Sequence, residues 1–356
     1  MRFSICVPNF NYGRYLGETV GSVLAQDEPD FEVVVSDNAS TDNSVEVVRG
    51  FKDKRVRVSV NRWNVGFAGN LDKAAGQAKG DFIITLSSDD VMEPGALAAY
   101  SRLIEALGED ARRTVFGSTA HVVDSDGARF DRHAIDWKQW RGAVKDERLS
   151  RAVGYDVYRL PAHALLARSL ELLRSPFEFL TTCFPRELYE AVEGYGGQRL
   201  INPDKWFNWK ALSAAEHACV IDAPLFSYRV HNANQGSIQA RSGALKHLVD
   251  QYAATFDLPA PVLAAGGVSA DQLAAAFVEQ DIALRGLQAL ADGDTNRARR
   301  GVLFGLATYP AVTRRNAKVW ALRALLLLGP LGQWIARAAA RRVRGAWAAR
   351  EAGQAS

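Results

Sequence analysis

What most constrains this chain is the alternation in its first 125 residues. Short apolar runs rich in Val, Ile and Phe read as strands at Phe3 to Pro8, Phe31 to Asp37, Val56 to Val60, Phe82 to Ser87 and Val115 to Val123. Between them, helical periodicity runs over Tyr15 to Gln26, Asn43 to Phe51, Gly66 to Ala78 and Pro94 to Leu107. Pro94 is expected at a first helical position, where its missing N–H costs nothing. Strand–helix–strand alternation needs crossover connections, so the expected fold class is α/β, a mostly parallel sheet with helices on both faces. Ligands of such sheets bind beyond the carboxyl ends of the strands, and three of these strands end in polar clusters, "PNFN", "SDNASTD" and "SSDD".

From about residue 130 to 176 the pattern turns aromatic and charged, "DWKQWRGAVKDERL", and then helical in "AHALLARSLELLRS". The expectation here is an inserted helical segment, not a continuation of the sheet. From about Leu245 onward the chain reads as helical, which puts a boundary near residue 240. With 48% hydrophobic and 23% charged residues, the 356-residue chain can bury one large core or two ordinary ones. Its three cysteines are far apart, with no CxxC pair, and read as buried thiols in a reducing compartment. The N-terminus runs straight into a strand without a secretory-signal pattern, so the expected location is the cytoplasm.

Four places carry candidate chemistry. Asp37 ends an apolar strand, where its carboxylate can accept from a nucleobase edge or a ribose hydroxyl; the plainer reading is a strand-to-helix turn capped by Asp42 or Asn43. Asp89 and Asp90 are adjacent acids at a strand end, costly to bring together unless a divalent cation or hydrogen bonds offset their repulsion. They too can be read as a capped turn before the Pro94 helix. Asp204, in "NPDKWFNWKAL", stands before Trp206, Phe207 and Trp209; apolar walls would raise its pKa and improve it as a base, while "NPD" also resembles a plain helix start. In "YRVHNAN", Arg229 offers a fork of donors to phosphate and His231 a metal ligand, although such a pair on a loop is commonly surface decoration.

The order of these segments resembles glycosyltransferase family 2, the inverting nucleotide-sugar transferases of GT-A fold. It runs "VPNFN", Asp37 with "STD", "NRWNVGFAGN", "LSSDD", the helix-start Asp204 and "YRVH", and it covers roughly Phe3 to Asn234. The resemblance implies a GT-A catalytic domain over residues 1–240, with a nucleotide-binding half at 1–125 and an acceptor-binding half at 126–240, followed by a helical region at 241–356. It implies that Pro8, Asn9 and Phe10 line the base and ribose, that Asp37 reads the nucleobase or ribose, and that Asn64 lies near the nucleotide. Asp89 matches the last acid of the family's DXD motif, which holds Mg2+ or Mn2+ on the diphosphate. The first acid of that motif falls on Ser87, so Ser87 and Ser88 would offer hydroxyls where the family offers a carboxylate. Asp90 and Arg229 would support the diphosphate site, with His231 beside the metal, and Asp204 matches the catalytic base. Trp137, Trp140, Trp206 and Trp209 could stack on sugars, with Trp206 and Trp209 nearest the acceptor, or could simply be core. The implied partners are a nucleoside-diphosphate sugar and a saccharide or lipid-linked saccharide acceptor, in bacterial surface polysaccharide or glycolipid assembly. The alternative is a nucleotide-sugar or carbohydrate-binding protein whose catalysis is weak or lost.

The charge is uneven. Residues 297 to 350 hold twelve Lys or Arg and no Asp or Glu, against a net charge of +3 for the whole chain, so the remainder is acidic. The stretch "AKVWALRALLLLGPLGQWIARAAARRVRGAWAAR" has an uncharged run, Ala324 to Ala336, too short and broken for a membrane span. It reads as a basic amphipathic segment peripheral on an anionic membrane surface, the cytoplasmic face of the inner membrane, or else as a terminal helix pair. No aromatic-basic motif points to nucleic acid. A processive synthase would need several spans and a QxxRW motif, and a sugar-nucleotide pyrophosphorylase a glycine- and arginine-rich loop after the first strand; none is found.

Overall fold

The computed structural model describes residues 2–196, 200, 202–231 and 244–354, with the backbone alone at 244–245 and 343–354. Two units form. One comprises Met1–Leu170, Arg174–Ser237 and Leu258–Gly267, the other Glu171–Leu173, Ile238–Asp257 and Val268–Ser356. The boundary expected near residue 240, and Asn232 to Asn234 at the end of the "YRVHNAN" stretch, lie outside the described residues.

The first unit is built on β1 (Phe3–Asn9), β2 (Phe31–Asp37), β3 (Val56–Val60), β4 (Phe82–Thr85), β5 (Val91–Met92), β6 (Thr114–Val123), β7 (Arg129–His133), β8 (Val144–Lys145), β9 (Val157–Pro161), β10 (Cys183–Pro185) and β11 (His217–Arg229). They join in one sheet of order β3-β2-β1-β4-β10-β6-β11-β9-β8, with β5 beside β11 and β7 beside β6. The pairings β1 with β2, β1 with β4, β2 with β3 and β6 with β11 are parallel, while β10 runs antiparallel between β4 and β6. Every residue of β1 and β2 is buried, as strands covered on both faces must be. The helices are α1 (Gly13–Leu24), α2 (Ser44–Gly50), α3 (Gly66–Ala75), α4 (Ala96–Leu107), α5 (Glu147–Val153), α6 (Ala162–Leu172), α7 (Arg186–Ala191) and α8 (Pro203–Ala214). Leu16, Val20 and Val23 of α1 and Leu97, Tyr100 and Leu103 of α4 join Ile5, Val7, Val33, Val35 and Ile84 in the core.

Two expectations need correction. The stretch from 130 to 176 is not purely helical, because it continues the sheet through β7, β8 and β9. β7 and β8 are short and exposed, so they bury no face and print no alternation into the sequence. Pro94 does not open a helix: α4 starts at Ala96, after Gly95 has turned the chain through φ 79°. A residue other than glycine would resist that left-handed turn.

The second unit contains α9 (Ala244–Phe256), then α11 (Ala270–Phe277), a π-helical turn at Val278–Leu284, α12 (Arg285–Asp292), α13 (Thr295–Thr308), α14 (Pro310–Arg315), α15 (Ala317–Leu327) and α16 (Pro330–Gln354); α10 (Ala260–Ala265) belongs to the first. Three of its helix starts are capped by side chains: Ser269 and Gln272 form a reciprocal capping box, Asp294 accepts from the N–H of Arg297, and Asn316 from that of Val319. Rings of Tyr252, Phe304 and Tyr309, each half-buried, pack around the buried Phe277.

Candidate active site

The carboxyl ends of β1, β2 and β3 are tied together by amides. Asn9 donates to Asp37 Oδ2 at 2.8 Å, and Ser40 N donates to Asp37 Oδ1 at 2.9 Å. Asp37 therefore does form the strand-end turn, and a carboxylate with about four acceptor positions keeps capacity for another donor. Asp42 takes the N–H groups of Gly13 and Ser44, which locks the starts of α1 and α2 together. Asn38 donates to Asn64 Oδ1 at 2.8 Å and accepts from Asn61 at 3.0 Å; Asn61 also donates to Asn70 at 2.9 Å, and Asn70 donates to Ser36 O at 2.9 Å. Pro8 and Asn9 are buried, while Phe10 and Asn64 are exposed beside them. Asn9 Oδ1 is buried without a hydrogen-bond partner. The asparagines Asn38, Asn61 and Asn70 were not singled out in the sequence, although each directly follows a strand or faces one from α3.

The second cluster follows β4. Leu86 N still donates to Cys6 O, after which Ser87 to Asp90 turn away. Ser87 is half-buried and Ser88 buried. The acids do not cap α4. Instead Asp90 Oδ1 accepts from Arg229 N at 2.8 Å, and His231 Nε2 lies 3.0 Å from Asp89 Oδ2. Burial, and then the Asp89 charge, push Asp90 well above the ordinary carboxylate range. The Arg229 side chain is 2% exposed. It donates through Nε to Asp89 O at 2.8 Å, through Nη1 to Ser125 O at 3.2 Å, and through Nη2 to Glu18 Oε2 at 2.7 Å. The guanidinium fastens the acidic turn to α1 and to the loop after β6. Thr19 Oγ1 fixes Asp90 O from the same helix at 2.8 Å. The His231 ring is held edge-on by Tyr12, 5.6 Å between centroids, and beside Tyr15, at 4.8 Å.

The two atoms stand at hydrogen-bond distance, and a cation such as Mg2+ or Mn2+ that also binds phosphate oxygens would replace the contact between them, since such ions commonly take only one or two protein ligands. Among the described residues no three His, Cys, Asp or Glu side chains converge on one point, so further ligands here would come from elsewhere.

Asp204 stands in the first turn of α8, after Pro203. Burial raises its pKa. Tyr195, whose phenol is pushed up by burial and by the Asp204 charge, donates its hydroxyl to Thr85 Oγ1 at the end of β4 at 3.0 Å. The turn leading towards α8 is held by Asp72 of α3, which accepts from Tyr195 N at 2.7 Å, Gly196 N at 3.1 Å and Tyr189 OH at 3.0 Å. Lys210 donates to Val192 O at 2.8 Å and Gly194 O at 2.6 Å, and burial draws its ammonium down to about 8. Asp72 and Lys210 carried no signal in the sequence beyond ordinary helix-face charges.

The tryptophans divide. Trp209 is fully buried with Nε1 donating to Arg174 O at 3.1 Å, and Trp140 is buried likewise, so both are core and cannot stack on an acceptor. Trp206 is half-buried against Lys210, with Nε1 lacking a hydrogen-bond partner, and Trp137 is exposed.

Residues 4–169 match the family model described as Glycosyl transferase family 2. An uncharacterized glycosyltransferase of Nostoc sp. is 25% identical over 277 residues, which are 71% of this chain and 74% of that protein. The poly(ribitol-phosphate) beta-N-acetylglucosaminyltransferase TarS of Staphylococcus aureus is 35% identical over 114 residues, 31% of this chain and only 20% of TarS. The crystal structure of TarS 1–349 in complex with UDP-GlcNAc aligns at a TM-score of 0.63 and 20% identity, covering 95% of this chain and 89% of that one. The shared fold is GT-A, as expected from the sequence: a mixed sheet with parallel central strands and a helical C-terminal region.

Proposed function

We propose that this chain, whose residues 4–169 belong to glycosyl transferase family 2, transfers a sugar with inversion from a nucleoside-diphosphate sugar to an acceptor hydroxyl. The observation that carries the reading is the Asp89–His231 pair, 3.0 Å apart at the end of β4 and fastened from behind by Arg229 and Asp90. Residues 1–125 supply the nucleotide side. There the unpartnered Asn9 Oδ1, next to Asp37, offers an acceptor to a ribose hydroxyl or base N–H. Residues 126–240 supply the acceptor side, with Trp206 as its aromatic wall.

Asp204 takes the proton from the acceptor hydroxyl while that oxygen attacks the anomeric carbon on the face opposite the nucleotide. The bond to the diphosphate breaks in the same step, and the nucleoside diphosphate leaves. Burial suits Asp204 to this work because a raised pKa makes it a stronger base. A Mg2+ or Mn2+ ion held by Asp89 and His231 would neutralise charge on the departing diphosphate. Arg229 keeps the Asp89 backbone from shifting, and Tyr12 and Tyr15 hold the His231 ring.

The acceptor is a saccharide or lipid-linked saccharide of a bacterial surface polysaccharide, as relatives named for poly(ribitol-phosphate) and teichuronic acid biosynthesis suggest. The site of action is the cytoplasmic face of the inner membrane, with the basic C-terminal region peripheral on anionic lipid. Among the described residues no helix is long and apolar enough to cross a membrane. The test is release of nucleoside diphosphate from a donor panel that starts with UDP-GlcNAc, the ligand of the TarS structure, with and without Mn2+. Asp204→Asn and Asp89→Ala are each expected to cut turnover by about 10²–10⁴-fold. Turnover at the wild-type rate by folded Asp204→Asn would remove the base assignment, and donor binding without turnover by the unmodified chain would favour a binding protein.

A further inference from the structure

We infer that the turn between α15 and α16 is an insertion tip that enters the acyl region of a lipid bilayer. The inference rests on the peripheral-membrane reading above and deepens it: there a basic segment lies on charged headgroups, and here an apolar tip enters beneath them.

The tip is built as a close hairpin. α15 ends at Leu327, Gly329 turns the chain with φ 56°, and Pro330 opens α16 at once. A Cβ on Gly332 would lie 1.9 Å from Leu325 O, so only glycine lets the two helices approach this closely. A hairpin this tight has little freedom to fold its end residues away. Leu327 is 89% exposed, Leu331 56%, and Leu328 and Ile335 are exposed beside them. Val319, Leu322 and Ala336 face inward and are buried, so each helix already spends a different face on its own core. Solvent exposure of four large aliphatics at one turn is costly for a surface that stays in water.

The surroundings select the occupant. From Ala324 to Ala336 there is no charge, which spans the whole turn. Behind it lie two exposed tryptophans, Trp320 on α15 and Trp334 on α16, where indoles favour the headgroup level. Arg323 lies over the Trp320 ring at 4.9 Å, and Arg337, Arg341 and Arg342 follow farther from the tip, while Lys318 is paired with Glu279. No acid occurs between residues 297 and 350 to oppose an anionic surface. An uncharged aliphatic tip, with indoles and arginines set back from it along both helices, matches the acyl chains, interface and anionic headgroups of a leaflet.

The experiment is sedimentation of the full chain with vesicles of phosphatidylglycerol and phosphatidylcholine, and with phosphatidylcholine alone. The double variant Leu327→Gln with Leu331→Gln replaces exposed residues only, and its thermal melt should match the wild type. The wild-type chain is expected to bind the anionic vesicles and to keep part of that binding in high salt. The double variant is expected to lose about tenfold or more of its partition at any salt. Equal binding by variant and wild type, or wild-type binding abolished by salt, overturns the insertion and leaves the surface reading standing. A wild type that binds no vesicle overturns both. A wild-type dimer that the double variant converts to monomer also overturns the insertion, since a second copy would then be what covers the tip.

Discussion

Replacing Arg229 by Met tests whether the acidic turn owes its position to one side chain. The guanidinium, 2% exposed, is the donor for Asp89 O and Ser125 O as well as the partner of Glu18. The Glu18 arm adds little, because that carboxylate is 55% exposed and water replaces the lost partner. The carbonyls are different. Each hydrogen bond from a charged donor is worth about 1.5–3 kcal/mol, and a thioether of similar length fills the space without donating. Two such losses, partly relieved by water entering, put the change at about 3 kcal/mol. For a cooperative unit of this size that is a fall in melting temperature of about 6–12 °C. Asp89 would shift with its carbonyl, and a misplacement of about 1 Å can cost about 10²-fold in rate. Differential scanning calorimetry and donor turnover, measured on Arg229→Met and Arg229→Lys, read the two effects. A Met variant that melts within about 2 °C of the wild type and turns over normally would refute the claim that Arg229 holds the turn.

For Asp204 the sign of the pH effect is fixed by burial. Its folded pKa is raised, so between the ordinary aspartate value and the raised one the folded state holds a proton that the unfolded state has released, and stability falls as pH rises through that window. Turnover should rise with pH across the same window as the base ionises, and Asp204→Asn should melt no lower than wild type at neutral pH while losing activity; a lower melt would contradict the burial argument. Asn70→Ala should cost about 1–3 kcal/mol by leaving Asn61 and Ser36 without their partner, read as a drop in denaturant midpoint with unchanged slope. No change in midpoint would show that water takes over the amide's bonds.

The legible parts of this molecule were those where one stretch of chain carries its own period. β2 and β3 fall at the residues read from the sequence, and β1, β4 and β6 within two; all but β3 are buried along almost their whole length, and β3 is a partly buried edge strand of alternating valines. The short edge strands β7 and β8 were illegible, since they are held by pairing to β6 and β9 and not by a buried face. Asp89, Asp90, Arg229 and His231 were each visible as residue types. That Arg229 braces the acids was not, because its partners come from α1, the turn after β4 and the loop after β6, far apart in sequence. Trp206 and Trp209 share one helix and one residue type, and only burial and the bond from Trp209 to Arg174 O, neither visible in the sequence, separate core from candidate wall. The amide network at the ends of β1, β2 and β3 left no pattern because asparagine is common in any loop.

The order β4-β10-β6-β11 has a consequence for how such a chain can be divided. The stretch that matches the family ends at residue 169, before β10 and β11 have been made. Without them β4 has an open edge, β6 has lost its parallel neighbour, and nothing joins the strands on one side of the gap to those on the other. Open edges of that kind invite pairing between molecules. The piece that closes the sheet is therefore larger than the piece that is recognised: the match holds β1 to β9, but closure waits for β10 and for β11, which also delivers Arg229.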